Sequence, residues 1–270
     1  MKYMKDRIRI FKFLLVLWAL CFGLCAFSYA DSTNFAQKKK IEIQPAAKTF
    51  RVGEKLVYGV YWMGIHVGEG TIEIKELTTI NGREAYHITA VAKSNEFLSA
   101  FYKVEDVIDS YVDREGLYTL RFEKHQNEGK YKSDEVVIFD QENHVAYYES
   151  MLNKNKKKFS IPPKVHDIIS AFYYFRTLDV KPNSKVMLDI TSEEKNWKAV
   201  LNVMSTQSLE ILRKGVHEVF CVEPRAPFKG IISKRSKAWV YFSVDENRMP
   251  VMIKFRIPFG FVVGVLEAAE

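Results

Sequence analysis

A chain of 270 residues, 47% apolar and 27% charged, is long enough to bury a large core and too apolar to belong with disordered proteins. Its formal charge of +7 comes from 40 Lys+Arg against 33 Asp+Glu, but five of those bases and Asp6 fall in the first 12 residues, leaving 35 against 32 beyond them. So small an excess excludes the basic character expected of a nucleic-acid binder. Of three cysteines, Cys21 and Cys25 lie in the same N-terminal region, so Cys221 alone remains and no internal disulfide framework is available.

The first element is a targeting signal. Lys2, Lys5, Arg7, Arg9 and Lys12 precede the apolar run "FLLVLWALCFGLCAF" (13–27), and Ser28 and Ala30 supply small residues before Asp31. This layout predicts a secretion leader over 1–30, cleaved after Ala30, hence an exported, periplasmic protein with no membrane-spanning segment after cleavage. Residues 31–48, with "QKKKIEIQPAAK", read as a flexible linker, and 49–270 as a single β-rich domain.

The stretch "VYGVYWMGIHVGEGTIEI" (57–74) alternates like a strand but is apolar on both sides of its first half. Leu56, Tyr58, Val60 and Trp62 point one way; Val57, Tyr61, Met63, Ile65 and Val67 point the other. We read this as one strongly bent strand, with Gly68 and Gly70 marking a bend or bulge. "NGR" (81–83) is a hairpin turn between "TIEIKELTTI" and "AYHITAVAKS", and "NEFLSAF" (95–101) is a short helical turn. Four further strands follow at meander spacing, which favours antiparallel pairing. The basic run in "NKNKKKFSIPP" (153–163) reads as a solvated loop.

The principal helix is "KVHDIISAFYYFRTL" (164–178). Val165, Ile168, Ile169, Phe172 and Phe175 form a broad apolar face, leaving His166, Ser170, Tyr173 and Thr177 as a narrow polar stripe. A second β series completes the chain, with "NWKAVLNVMS" and "SLEILRKG" read as separate strands and "PVMIKFRIPFGFVVGVLEA" as the last. The expected fold is therefore mainly β: a strongly curved antiparallel sheet or open barrel wrapping one principal helix, with a possible second short helix. Strand series, helix, strand series reads as two structural halves joined at the 164–178 helix within that domain.

Gly53-Glu54-Lys55-Leu56-Val57-Tyr58, then Trp62, Gly64, Val67 and Gly68, Ser94 with "FYKVED", "DIISAFYYFR" (167–176) and "MPVMIKF" resemble the exported bacterial family known as domain of unknown function 3108. The resemblance spans about residues 50–268 and implies an exported β-rich fold without an assigned activity. A looser architectural analogy is to periplasmic lipoprotein carriers, whose curved sheet encloses helices and an apolar cavity.

His166, Asp167 and Ser170 sit together on the predicted helix, yet a mid-helix serine lacks the sharp turn and oxyanion donors of a nucleophile elbow, so they read as helix packing. The six histidines are scattered, and neither a metal motif nor a phosphate or dinucleotide loop is present, so no cofactor is expected. The reading is a non-catalytic envelope protein that binds or carries a lipid or lipoprotein ligand in an apolar cavity. Tyr58, Tyr61, Trp62, Met63, Phe172 and Arg176 are the candidate ligand-binding residues, Arg176 or a rim lysine meeting a head group. A scaffold or protein-interaction module is the alternative, and an envelope hydrolase the third reading. Oligomeric state is not legible.

Overall fold

The computed structural model describes residues 50–211, 215–225, 237–257 and 260–270. The expected leader 1–30 and linker 31–48, with Cys21 and Cys25, lie outside the described residues, as does Phe259.

The protein is mainly β, built on one open, 14-stranded antiparallel sheet. The strands run β1 Lys55–Trp62, β2 Ile65–Ile80, β3 Arg83–Ser94, β4 Glu105–Asp113, β5 Thr119–Glu128, β6 Tyr131–Asp140, β7 Val145–Ser150 and β8 Lys156–Ser160. After these come β9 Lys185–Ser192, β10 Lys195–Ile211, β11 Gly215–Arg225, β12 Lys237–Ser243, β13 Pro250–Ile257 and β14 Gly260–Ala269. The spatial order is β8-β7-β6-β5-β4-β3-β2-β1-β14-β13-β12-β11-β10-β9. Two meanders are thus joined where the first strand pairs with the last, Trp62 opposite Val262 and Leu56 opposite Ala269. Among the described residues, no ladder joins the edge strands β8 and β9. Side chains cross there instead: Asn196 Nδ2 donates to the Ser160 carbonyl at 2.6 Å, and Lys157 pairs with Glu194.

Among the described residues, two helices interrupt the meanders. Helix α1, Glu96–Ser99, is capped by Asn95, whose side chain accepts the Leu98 N–H. Helix α2, Ile168–Thr177, lies between β8 and β9 in the chain. It starts four residues later than the apolar periodicity predicts. Lys164 takes φ +53° and His166 forms a parallel bridge with Ile190, so Val165 and His166 extend along the sheet, and Asp167 is the N-cap.

That cap explains the His-Asp-Ser cluster. The Asp167 carboxylate accepts the Ile169 and Ser170 N–H groups at 2.6 and 3.0 Å, while Ser170 Oγ accepts the Asp167 N–H at 3.0 Å, a reciprocal capping box. Ser110 of β4 and Thr119 of β5 donate to the same carboxylate at 2.6 and 2.7 Å, docking the helix onto the sheet. Ser170 is fully buried. Burial also holds the His166 imidazole down to about 4, neutral at physiological pH. Ser170→Ala is therefore expected to destabilise the fold by about 1–2 kcal/mol in urea titration, more than a serine on a solvent-facing stripe would.

Three further segments differ from their sequence readings. Residues 56–67 are two strands and not one bent strand. Met63 (φ +50°) and Gly64 (φ +84°) form a two-residue turn closed by Trp62 opposite Ile65, with a register shift at Val60/Tyr61. Residues 195–211 form a single strand with a register shift between Val203 and Thr206. The basic run contributes edge strand β8, Lys157 opposite Tyr148 and Val145 opposite Ser160, because a ladder to β7 is compatible with lysines left in water.

The main core gathers around α2. Phe172 and Phe175 lie 5.7 and 4.9 Å from the Phe242 ring of β12, Phe175 lies 6.3 Å from Phe220 of β11, and Tyr173 meets Phe50 edge-on at 4.9 Å. Cys221 is buried, and burial pushes its thiol up to about 11, as befits a packing residue and not a nucleophile. No helix among the described residues is long and apolar enough to cross a membrane.

Candidate ligand cavity

The N-terminal turn of α2 does not fill the space between it and the sheet. A cavity of about 100 Å³ remains, walled by Ile168, Ile169 and Phe172 of α2, Tyr58 and Val60 of β1, and inward residues of β2, β3, β4, β13 and β14. Tyr58 donates its hydroxyl to the Pro250 carbonyl at 2.9 Å, which satisfies the polar end. Leu98 of α1 and Val104, both in the β3–β4 connection, line the same space, and Glu69, Lys93 and Ser94 lie at its polar edge. Two glycines shape it. A Cβ at Gly68 would lie 2.2 Å from the Lys93 carbonyl oxygen, so β2 can approach β3 closely only without one; at Gly264 a Cβ would meet nothing nearer than 3.9 Å.

Residues 57–267 match the family described as "Protein of unknown function (DUF3108)". The chain belongs to the DUF3108 family. Among solved structures, the DUF3108 chain is similar to a crystal structure described as a beta-barrel-like protein of domain of unknown function DUF1849 from Brucella abortus. That similarity has a TM-score of 0.55 and 10% sequence identity, covering 82% of this chain and 98% of the other. At that identity the likeness concerns the fold alone. Functionally curated proteins gave no match.

Of the six residues singled out from the DUF3108 sequence, Tyr58 and Phe172 meet at the cavity. Trp62 packs at the margin of the main core. Tyr61 points away from the cavity and donates to Glu267 at 2.9 Å, its ring 5.3 Å from His66. Met63 sits at the β1–β2 turn, exposed. Arg176 is buried and engaged: Nη1 and Nη2 donate to the two Glu54 oxygens at 2.6 and 2.9 Å, with the guanidinium over Phe50 and Tyr173. Those bonds raise its pKa against the opposing effect of burial.

Sequence reasoning missed the polar floor. Asp106 lines the cavity and is buried beside Glu128, bridged by Gln126, whose Nε2 lies 3.4 Å from Asp106 and 3.2 Å from Glu128. Burial first, then a hydrogen bond with Asp106, raises Glu128 to about 9, so the pair holds a proton at neutral pH. The alternation of "KVEDVIDSYVD" was the available signal: it puts Asp106 on the face of Val104 and Ile108.

The sign of the pH effect follows. A carboxyl with a raised folded pKa lends stability that is present below about 4.5 and lost as pH climbs through about 9. His87, raised by its bond to Asp109 at 2.8 Å, loses stability in the same direction, so the comparison must be between proteins. Glu128→Gln is expected to have a flatter stability profile from pH 5 to pH 9 than wild type. Parallel profiles in urea titrations would contradict the shared proton.

Proposed function

We propose that this protein is an exported envelope carrier that holds the apolar part of an amphipathic, lipid-like molecule between its sheet and α2. The observation that carries this reading is the cavity itself: apolar walls, a polar edge at Glu69, Lys93 and Ser94, and an unfilled position at Gly264. Contacts of α2 with β4, β5, β11 and β12, distant in sheet order, support a sheet curved around this helix. At about 100 Å³ the cavity is smaller than the roughly 300–1,000 Å³ of ordinary small-molecule sites, so it suits a short alkyl segment with the remainder leaving past the polar edge.

The leader reading supplies the setting, an envelope rich in acyl chains. The protein purified from its native envelope under mild conditions should release an acyl-bearing lipid on extraction, seen by mass spectrometry. A folded preparation that yields no lipid would favour the scaffold reading.

A further inference from the structure

Antiparallel strands send alternate connections to the same end of the sheet. One end here collects the β1–β2, β3–β4, β5–β6, β7–β8 and β9–β10 connections. Hydrogen bonds link neighbours along it: Asn95 Nδ2 donates to the His66 carbonyl at 2.8 Å, the Gly129 N–H to Lys103 at 2.8 Å, and the Met151 N–H to Asp134 at 2.7 Å. Large apolar side chains stand exposed on these tips: Met63 at 64%, Ile65 at 51%, Phe97 at 56%, Phe101 at 72%, Met151 at 40% and Leu152 at 57%. At the opposite end the tips are Asn81-Gly82, Arg114-Glu115-Gly116, Gln141-Glu142-Asn143 and Asp245-Glu246-Asn247, where Val244 stands exposed beside the last tip and Val52, Met187 and Val216 at or near the strand starts, with no exposed phenylalanine among the described residues.

We propose that the apolar end is a docking surface for an anionic lipid bilayer. The apolar residues stand on separate tips with polar residues between them, an arrangement suited to entering a yielding interface and unlike a groove moulded to one protein segment. Charge agrees at the β7–β8 corner. Lys154, Lys156, Lys157 and Lys158 flank Met151-Leu152, and Lys130 and Lys132 lie by the adjoining β5–β6 turn. Glu149 and Glu194 answer Lys156 and Lys157, while Lys130, Lys132 and Lys154 have no ion pair among the described residues and are free to meet lipid phosphates. Lysines on an edge strand also deter sheet-to-sheet pairing, but that role requires neither Met151 and Leu152 nor the two phenylalanines.

The end is continuous with the cavity. Leu98 lies between Phe97 and Phe101 in sequence and lines the cavity from the same connection. Docking here would place the cavity's polar edge at the bilayer surface. This purpose rests on the carrier reading, whereas docking is measured without cargo.

The test is flotation of the secreted chain lacking the apolar segment 13–27, with phosphatidylglycerol–phosphatidylcholine vesicles and with phosphatidylcholine alone. Wild type should float with the anionic vesicles, less so at high salt and with neutral vesicles. Phe97→Asp with Phe101→Asp, and separately Leu152→Asp, should each weaken binding at least about tenfold, while Val244→Asp at the opposite end should leave it unchanged. Thermal melts confirm folding, and the Leu152 variant, remote in sequence, keeps the test alive if the phenylalanine pair fails to fold. Wild type that floats with neither vesicle, or apolar-end variants that float like wild type, would overturn the proposal. So would self-association, seen by sedimentation and abolished by these variants, in a protein that does not float.

Discussion

Replacing Arg176 with Met is expected to destabilise the protein by about 3–5 kcal/mol, because it strands the Glu54 carboxylate in a largely buried position. The pair ties two ends of the fold together: Glu54 immediately precedes β1, and Arg176 sits in the last turn of α2, 122 residues later. The guanidinium also lies 5.1 Å from both the Phe50 and Tyr173 ring centres, contacts that Met only partly replaces. Adding Glu54→Gln to Arg176→Met should recover part of the loss, since the uncompensated charge is then gone. Urea titrations of the single and double variants measure this. A single-variant loss below about 1 kcal/mol would mean that Glu54 remains well solvated without its partner.

Phe172→Ala carries the second large effect, with a dual readout. The ring packs against Phe242 and Tyr173 on one side and faces the cavity on the other, so its removal should cost about 3–5 kcal/mol while enlarging the ligand space. A protein that loses stability but still binds an acyl probe would fit a wall residue of a ligand site. A loss below about 2 kcal/mol would show that α2 settles into the space and closes it.

Much of the fold was legible because the pattern is local. Alternation located most of the strands, Asn81-Gly82 gave the hairpin, and "NEFLSAF" (95–101) and the apolar face of 164–178 pointed to the two helices, the second of which begins only at Ile168. What was misread depended on pairings that the pattern of a single segment does not show. Met63-Gly64 does not look like a strong turn pair, and only the pairing of Trp62 with Ile65 shows that the chain reverses there. Val165 and His166 fit a helical period, but β9 offers His166 backbone partners at Asp189 and Thr191, and Thr119 of β5 donates to the Val165 carbonyl. The cavity followed the same rule. Tyr58 and Phe172 were legible as inward apolar residues, whereas Arg176 found Glu54 by tertiary proximity. The Asp106–Glu128 floor depends on the register of β4 against β5, which alternation does not fix.

The central claim is that the space beside Gly264 receives an alkyl chain. Its most direct test is titration of a short fluorescent fatty acid, below its micelle concentration and without vesicles, into wild type and Gly264→Leu. A leucine there has room for its Cβ and projects from the inward face of β14, shared with Val262 and Leu266, into the cavity. The account predicts saturable binding by wild type and at least about tenfold weaker binding by a Gly264→Leu protein that unfolds as cooperatively as wild type. Equal binding by the two folded proteins, or no saturable binding by wild type, would contradict it.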